Sequence, residues 1–225
     1  LPAIAAADII TLNPTTDAFV SAAAPSNNYG AAGGLAIAAA GLPNGEFQTV
    51  LRFDTPSAVA ALNASYGLGN WTITAVSLRL TATAPNNPIF NAQAAGLFAV
   101  SWMQNDSWTE GTGTPGSPTT TGITFNSLPA FLSPADEPLG IFAFAGATSG
   151  AATYALSLAP AFSADLAAGG PVGLRLYAAD PAIAYVFNSV NVGSTANRPV
   201  LTITAIPEPA AAVLLLLAAR RPRRR

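Results

Sequence analysis

The sequence predicts an all-β fold: an antiparallel two-sheet β-sandwich, jelly-roll-like, followed by a short apolar C-terminal helix and an Arg tail. Two observations predict it. Short runs of alternating apolar and polar residues recur along the chain, the two-residue period of strands buried on one face. Clusters of Gly, Pro, Asn and Ser separate them, and long helical periods are missing. A chain of 225 residues with 19 Gly and 19 Pro also has the size and turn content of one all-β domain.

The predicted strands are, in chain order, 17–21, 35–39, 47–54, 76–81, 97–103, 123–126, 139–145, 153–158, 172–178, 183–187 and 200–206. In 47–54, Phe47, Thr49, Leu51 and Phe53 share one face and Gln48, Val50, Arg52 and Asp54 the other; in 76–81, Val76, Leu78 and Leu80 alternate with Ser77, Arg79 and Thr81. Within 97–103, Phe98, Val100 and Trp102 lie together, which makes Trp102 a core residue, and Trp71 is read the same way. Brief helices fit 57–62 and 160–166. The small, polar stretch 111–122 has nothing to bury and reads as a surface loop.

Composition removes much chemistry. With no His and no Cys there is no Ser-His-Asp or Cys-His triad, no imidazole or thiolate metal site and no disulfide. All nine basic residues are Arg, so Schiff-base and P-loop lysines are excluded as well. Hydrophobic residues reach 51% and charged residues only 9%, with a mean hydropathy of +0.41. Much of that excess is scattered Ala, and no apolar run approaches the ~18 residues of a membrane span. Five Arg fall in the last six residues, leaving four Arg against eleven acids before them, a net charge of −7. That balance argues against nucleic acid as a partner, which needs a basic face.

Residues 1–7 have the small, apolar character that closes a secretory signal peptide, with residues 8–205 as the body and 206–225 as a tail. In the tail, Pro207-Glu208-Pro209 precedes an apolar run, 210–219, and then Arg220, Arg221, Arg223, Arg224 and Arg225. This order resembles the PEP-CTERM sorting signal of Gram-negative, exopolysaccharide-producing bacteria. The resemblance implies an exosortase partner that recognises the Pro-Glu-Pro motif and removes the tail after transient contact with the inner membrane. It also implies a mature protein that is secreted or held at the cell surface or in the extracellular matrix. The prolines fix φ and lack donors, so the motif is expected extended and outside any sheet; the Arg block would stay cytoplasmic. The apolar run is only ten residues, about 15 Å as helix and half of a ~30 Å bilayer core.

Within the body, Asp17-Ala18-Phe19-Val20, Asn28-Tyr29-Gly30, Leu51-Arg52-Phe53-Asp54, Val76-Ser77-Leu78-Arg79-Leu80 and Asp106-Ser107-Trp108-Thr109-Glu110 follow one another. Gly122-Ile123-Thr124-Phe125-Asn126, Leu174-Arg175-Leu176 and Asn197-Arg198-Pro199-Val200-Leu201 complete the series. The order and spacing resemble the DNRLRE domain, a disaggregatase-related β-sandwich grouped with carbohydrate-binding modules. The resemblance implies a secreted, non-enzymatic domain that binds or organises extracellular polysaccharide.

Candidate site residues follow from residue chemistry. Sugar rings stack on aromatic faces; Trp108, at a polar border, and Tyr29 are the candidate platforms, with core packing the alternative for Trp108. No cofactor is required, but Asp17, Asn27, Asn28, Asp106 and Glu110 supply the oxygen ligands of a structural calcium ion. Ordinary turn chemistry accounts for the same residues, with Gly30 free to take a positive φ; Arg52 and Asp54, two apart on one strand face, can pair with each other or with a neighbouring strand. A polysaccharide-degrading enzyme would need two carboxyls such as Asp106 with Glu110, or Asp136 with Glu137. A self-assembling surface protein that binds no sugar is the remaining alternative.

Overall fold

The structure is a computed structural model that describes residues 7–83, 89–90, 93–147 and 149–208. Its strands are β1 (Asp8–Leu12), β2 (Thr16–Ser21), β3 (Gly34–Ala38), β4 (Phe47–Asp54), β5 (Trp71–Thr81) and β6 (Gly96–Met103), then β7 (Glu137–Phe144), β8 (Ala151–Leu156), β9 (Pro171–Ala178), β10 (Ala184–Asn188) and β11 (Val200–Pro207). Two helices, α1 (Pro56–Tyr66) and α2 (Pro160–Ala168), complete the elements that matter here.

The strands form two antiparallel sheets, one in the order β1-β11-β5-β8 and a larger one in the order β10-β3-β4-β9-β6-β7, with β2 also paired to β4. The chain passes repeatedly from one sheet to the other, so each sheet contains strands distant in sequence. Between the sheets, Val76, Leu78 and Leu80 of β5 pack with Leu51 and Phe53 of β4 and with Phe98, Val100 and Trp102 of β6. These are the faces that the alternation predicts. The sequence is an all-β sandwich, as expected.

Both helices start at Pro, whose missing N–H has no intrahelical role at that position. The carboxylate of Glu137, at the head of β7, accepts the N–H groups of Ala161 (3.1 Å) and Phe162 (2.8 Å), satisfying two orphan donors of α2. Phe162 and Leu166 then close the end of the main core.

Three expectations are corrected. No strand forms over 123–126: Thr124 and Ser127 close a turn there, and Ile123 and Leu128 fold down onto a second cluster with Ala18, Val20 and Val50. A strand absent from the sequence reading, β1, pairs with β11 in its place. Pro207 does not lie outside the sheet; it is the last residue of β11, opposite Trp71. The signal-like residues 1–6, Pro209, the apolar run 210–219 and the five terminal Arg lie outside the described residues.

Candidate functional site

Asn28 organises the polar junction of the molecule. Its side-chain Nδ2 donates to the carbonyls of Glu110 (2.6 Å) and Ile123 (2.8 Å), while Oδ1 accepts the N–H groups of Gly30 and Gly113, both at 3.1 Å. The amide thus uses all its near-planar valences to tie the 28–30 turn to the loop after β6. Gly30 is required for closeness and not for a positive φ, contrary to expectation: a Cβ there would collide with the Glu110 carbonyl.

On the neighbouring strand β2, Asp17 is 1% exposed. Its Oδ2 accepts the Val190 N–H at 2.6 Å, and its Oδ1 is buried without a partner. The Asp17 N–H donates to Glu110 Oε1 at 3.1 Å, and Asn191 Nδ2 donates both to that oxygen (3.3 Å) and to the Gly30 carbonyl (2.8 Å). Burial first, and then the Glu110 charge, push the Asp17 carboxyl up to about 8, against opposing help from the Val190 N–H and Arg198.

Of the five calcium candidates, then, Asp17, Asn28 and Glu110 meet. Asn28 spends both side-chain atoms on the protein itself. Asn27 turns away and donates to the Tyr29 hydroxyl at 3.3 Å. Asp106 also belongs elsewhere: burial and the nearby Asp165 raise its pKa, and Arg52 lowers it. Asp165 is itself raised by burial, although it accepts the Trp102 indole N–H at 2.8 Å. Among the described residues no three His, Cys, Asp or Glu side chains gather as a metal group. Sequence reasoning misses Asn191 as a site residue, because nothing local marks a contact made across 161 residues of chain.

Trp108 is not a surface platform. It is 1% exposed, packed with Val20, Val50, Met103 and Ile123, and its flanking Ser107 and Thr109 gave no sign of that burial. Arg52 lies over its ring, 5.2 Å from the centroid, and donates through Nη1 to the carbonyls of Asp106 and Trp108, both at 2.9 Å. Arg52 therefore holds this loop and does not serve Asp54.

Tyr29, the other aromatic candidate, lies at the rim of a cleft. It is half-buried, stacks on Phe19 with ring centroids 4.6 Å apart and planes 9° apart, and lines a shallow cleft of about 340 Å³ with Ser21, Asn44 and Phe47. Of the two carboxyl pairs considered for catalysis, the second has structural partners: Asp136 accepts the N–H groups of Gln104 (2.9 Å) and Ser133 (3.1 Å), and Glu137 caps α2. At the end of β11 the Glu208 N–H donates to the Asn70 carbonyl at 2.9 Å, and the Thr72 hydroxyl donates to the Glu208 carboxylate.

Among the described residues no helix is long and apolar enough to cross a membrane. Comparison of the chain with models of known protein families finds no match, and comparison with curated proteins finds none either.

Proposed function

We propose that the chain is a non-enzymatic, polysaccharide-binding β-sandwich of a Gram-negative cell surface or extracellular matrix, with sugar held at the Tyr29 cleft. The observation that carries this reading is the cleft itself. The stack on Phe19 fixes the Tyr29 ring at low entropic cost, and exposed Asn44, whose Nδ2 donates to the Ile89 carbonyl, leaves its amide oxygen at the rim to accept a sugar hydroxyl. Delivery by exosortase, through the Pro207-Glu208-Pro209 segment and the Arg-rich tail, is supported by the order of those residues.

The test is a glycan-binding screen of the full chain against alginate, cellulose and bacterial exopolysaccharides. Saturable binding is expected, weakened about tenfold or more by Tyr29→Ala, on the scale of ~1–3 kcal/mol known for aromatic stacking of bases, when measured well below the variant's own thermal midpoint, which loss of the Phe19 stack should lower. Binding that ignores the substitution, or no saturable binding at all, overturns the assignment. Release of reducing ends would make the protein an enzyme instead.

One observation favours a second reading, lateral self-association. The edge strands β7 and β8 carry a single charge between them, Glu137, and Ile141 stands 65% exposed on β7. Edges without charged gatekeepers invite pairing with another chain. Concentration-dependent sedimentation lost on Ile141→Lys would select this reading.

A further inference from the structure

The loop after β6 holds one cation by a single nitrogen. Arg52 of β4 spends Nη1 on the carbonyls of Asp106 and Trp108, both at 2.9 Å, and its guanidinium carbon stands 5.2 Å over the Trp108 ring. Two bonds and an aromatic face thus fix the group. Its other edge, Nε with Nη2, has no hydrogen-bond partner among the described residues, and neither nitrogen is sealed from solvent. That edge is the planar fork that meets two oxygens of an oxyanion side by side. No carboxylate of the described residues hydrogen-bonds it: Glu110 turns Oε1 to the Asp17 N–H and Asn191 Nδ2, and Asp106 acts on Arg52 through charge alone. Arg52 lines an open cleft of about 630 Å³ together with Glu110 and the exposed Thr109 and Thr112, whose hydroxyls bond no described residue. Thr16 borders this cleft and Ser21 the Tyr29 cleft, so the two lie at opposite ends of β2.

We propose that this second cleft binds a sulfate ester of a surface polysaccharide, with the free edge of Arg52 as a bidentate donor to two sulfate oxygens and the Thr109 and Thr112 hydroxyls as donors to the third. The charge and the oxygen count select the ligand. Arg52 supplies one positive charge with Glu110 and Asp106 nearby, which suits a singly charged ester better than a phosphate monoester carrying close to two charges at pH 7. A uronate carboxylate has only two oxygens, both satisfied by the fork, and leaves the threonines unused. Because the guanidinium is already held by the loop, little side-chain freedom is lost when the anion arrives. The proposal deepens the polysaccharide reading and rests on it for the chain that carries the ester.

The experiment is titration calorimetry on the full chain with a monosulfated galactan oligosaccharide, its desulfated parent, an oligogalacturonate and a galactose phosphate monoester. A single sulfate is used because the five terminal Arg attract any polyanion. The sulfated sugar should bind one per chain, at least tenfold more tightly than the other three probes. Arg52→Lys, which keeps the charge and loses the fork, and Thr109→Glu, which sets a carboxylate in the cleft, should each abolish that preference with an unchanged circular dichroism spectrum. Thr74→Glu, the same change of charge on the exposed face of β5, should bind as the parent does. If Arg52→Lys loosens the loop, the exposed Thr109→Glu carries the test. Equal binding of the desulfated sugar, the uronate or the phosphate overturns the proposal, as does a sulfate preference that survives Thr109→Glu in folded protein. Tyr29-dependent binding of the sugars without that preference would end this proposal alone, whereas no binding of any probe would end it together with the polysaccharide reading.

Discussion

The space between the two sheets and the junction under the 28–30 turn are both buried, but different forces hold them. Between the sheets, Leu78, Phe98, Tyr154 and Phe187 meet through dispersion and area removed from water, with aromatic edges such as Phe98 on Tyr154 at 5.1 Å. No single atom there is indispensable, because hydrophobic shape can be met by several side chains. At the junction, Asn28 alone joins four backbone groups of 30, 110, 113 and 123, and each bond specifies one donor and one acceptor. The sandwich is thus specified by pattern and the junction by identity.

The largest effect should come beside the junction, in the cluster of Trp108, Val20 and Val50. Trp108→Ala removes the ring that Arg52 covers and empties a cluster of buried side chains, and should destabilise the fold by about 3–5 kcal/mol in urea unfolding. A loss below ~1 kcal/mol would return Trp108 to the surface. Next, Asn28→Leu keeps the volume but orphans two carbonyls and two N–H groups. At ~1–3 kcal/mol for each buried group left unpaired, partly relieved by relaxation, a net loss of about 3 kcal/mol is expected.

The junction should also report itself through pH. Burial should keep Asp17 protonated in the folded chain up to about 8, whereas the unfolded chain should release that proton near 3.8. The folded state therefore binds more protons across that window, and stability should fall as pH rises through it, then level off. Urea midpoints from pH 5 to 9 check the slope, which Asp17→Asn should flatten. The smallest effect belongs to the sandwich interior: Leu78→Met should cost less than ~1.5 kcal/mol. A cost equal to that of Asn28→Leu would erase the distinction between the regions.

The same distinction explains what was readable in the sequence. Alternation found the inner faces of β4, β5 and β6 because burial on one face leaves a period of two. It failed at 123–126, where Ile123 and Phe125 are apolar for a different reason: they lie in or against the cluster of Trp108 and Val20 as part of an overlying loop. It failed again at β1, an edge strand whose Ile9 is 68% exposed, so its pattern is weak. Asp17, Asn28 and Glu110 could be singled out by residue type, yet their meeting with Asn191 depends on loops whose approach is fixed only by the completed sheets.

The seat of Pro207 and Glu208 has a mechanical consequence. β11 runs between β1 and β5, and the chain leaves it at Glu208, still hydrogen-bonded to Asn70. Asp8 faces Ala205 across the ladder, so the first strand begins beside the point where the last one ends. Antiparallel ladder bonds stand perpendicular to the strands. A pull on the residues beyond 208, directed along β11, would therefore load both of its ladders in shear, many bonds sharing the force. The same pull directed across the sheet would first release only Glu208 and Pro207. Anything that grips the chain at this point holds the sandwich by a strand with neighbours on both sides, and the fold, not the leash, sets how much tension the attachment bears.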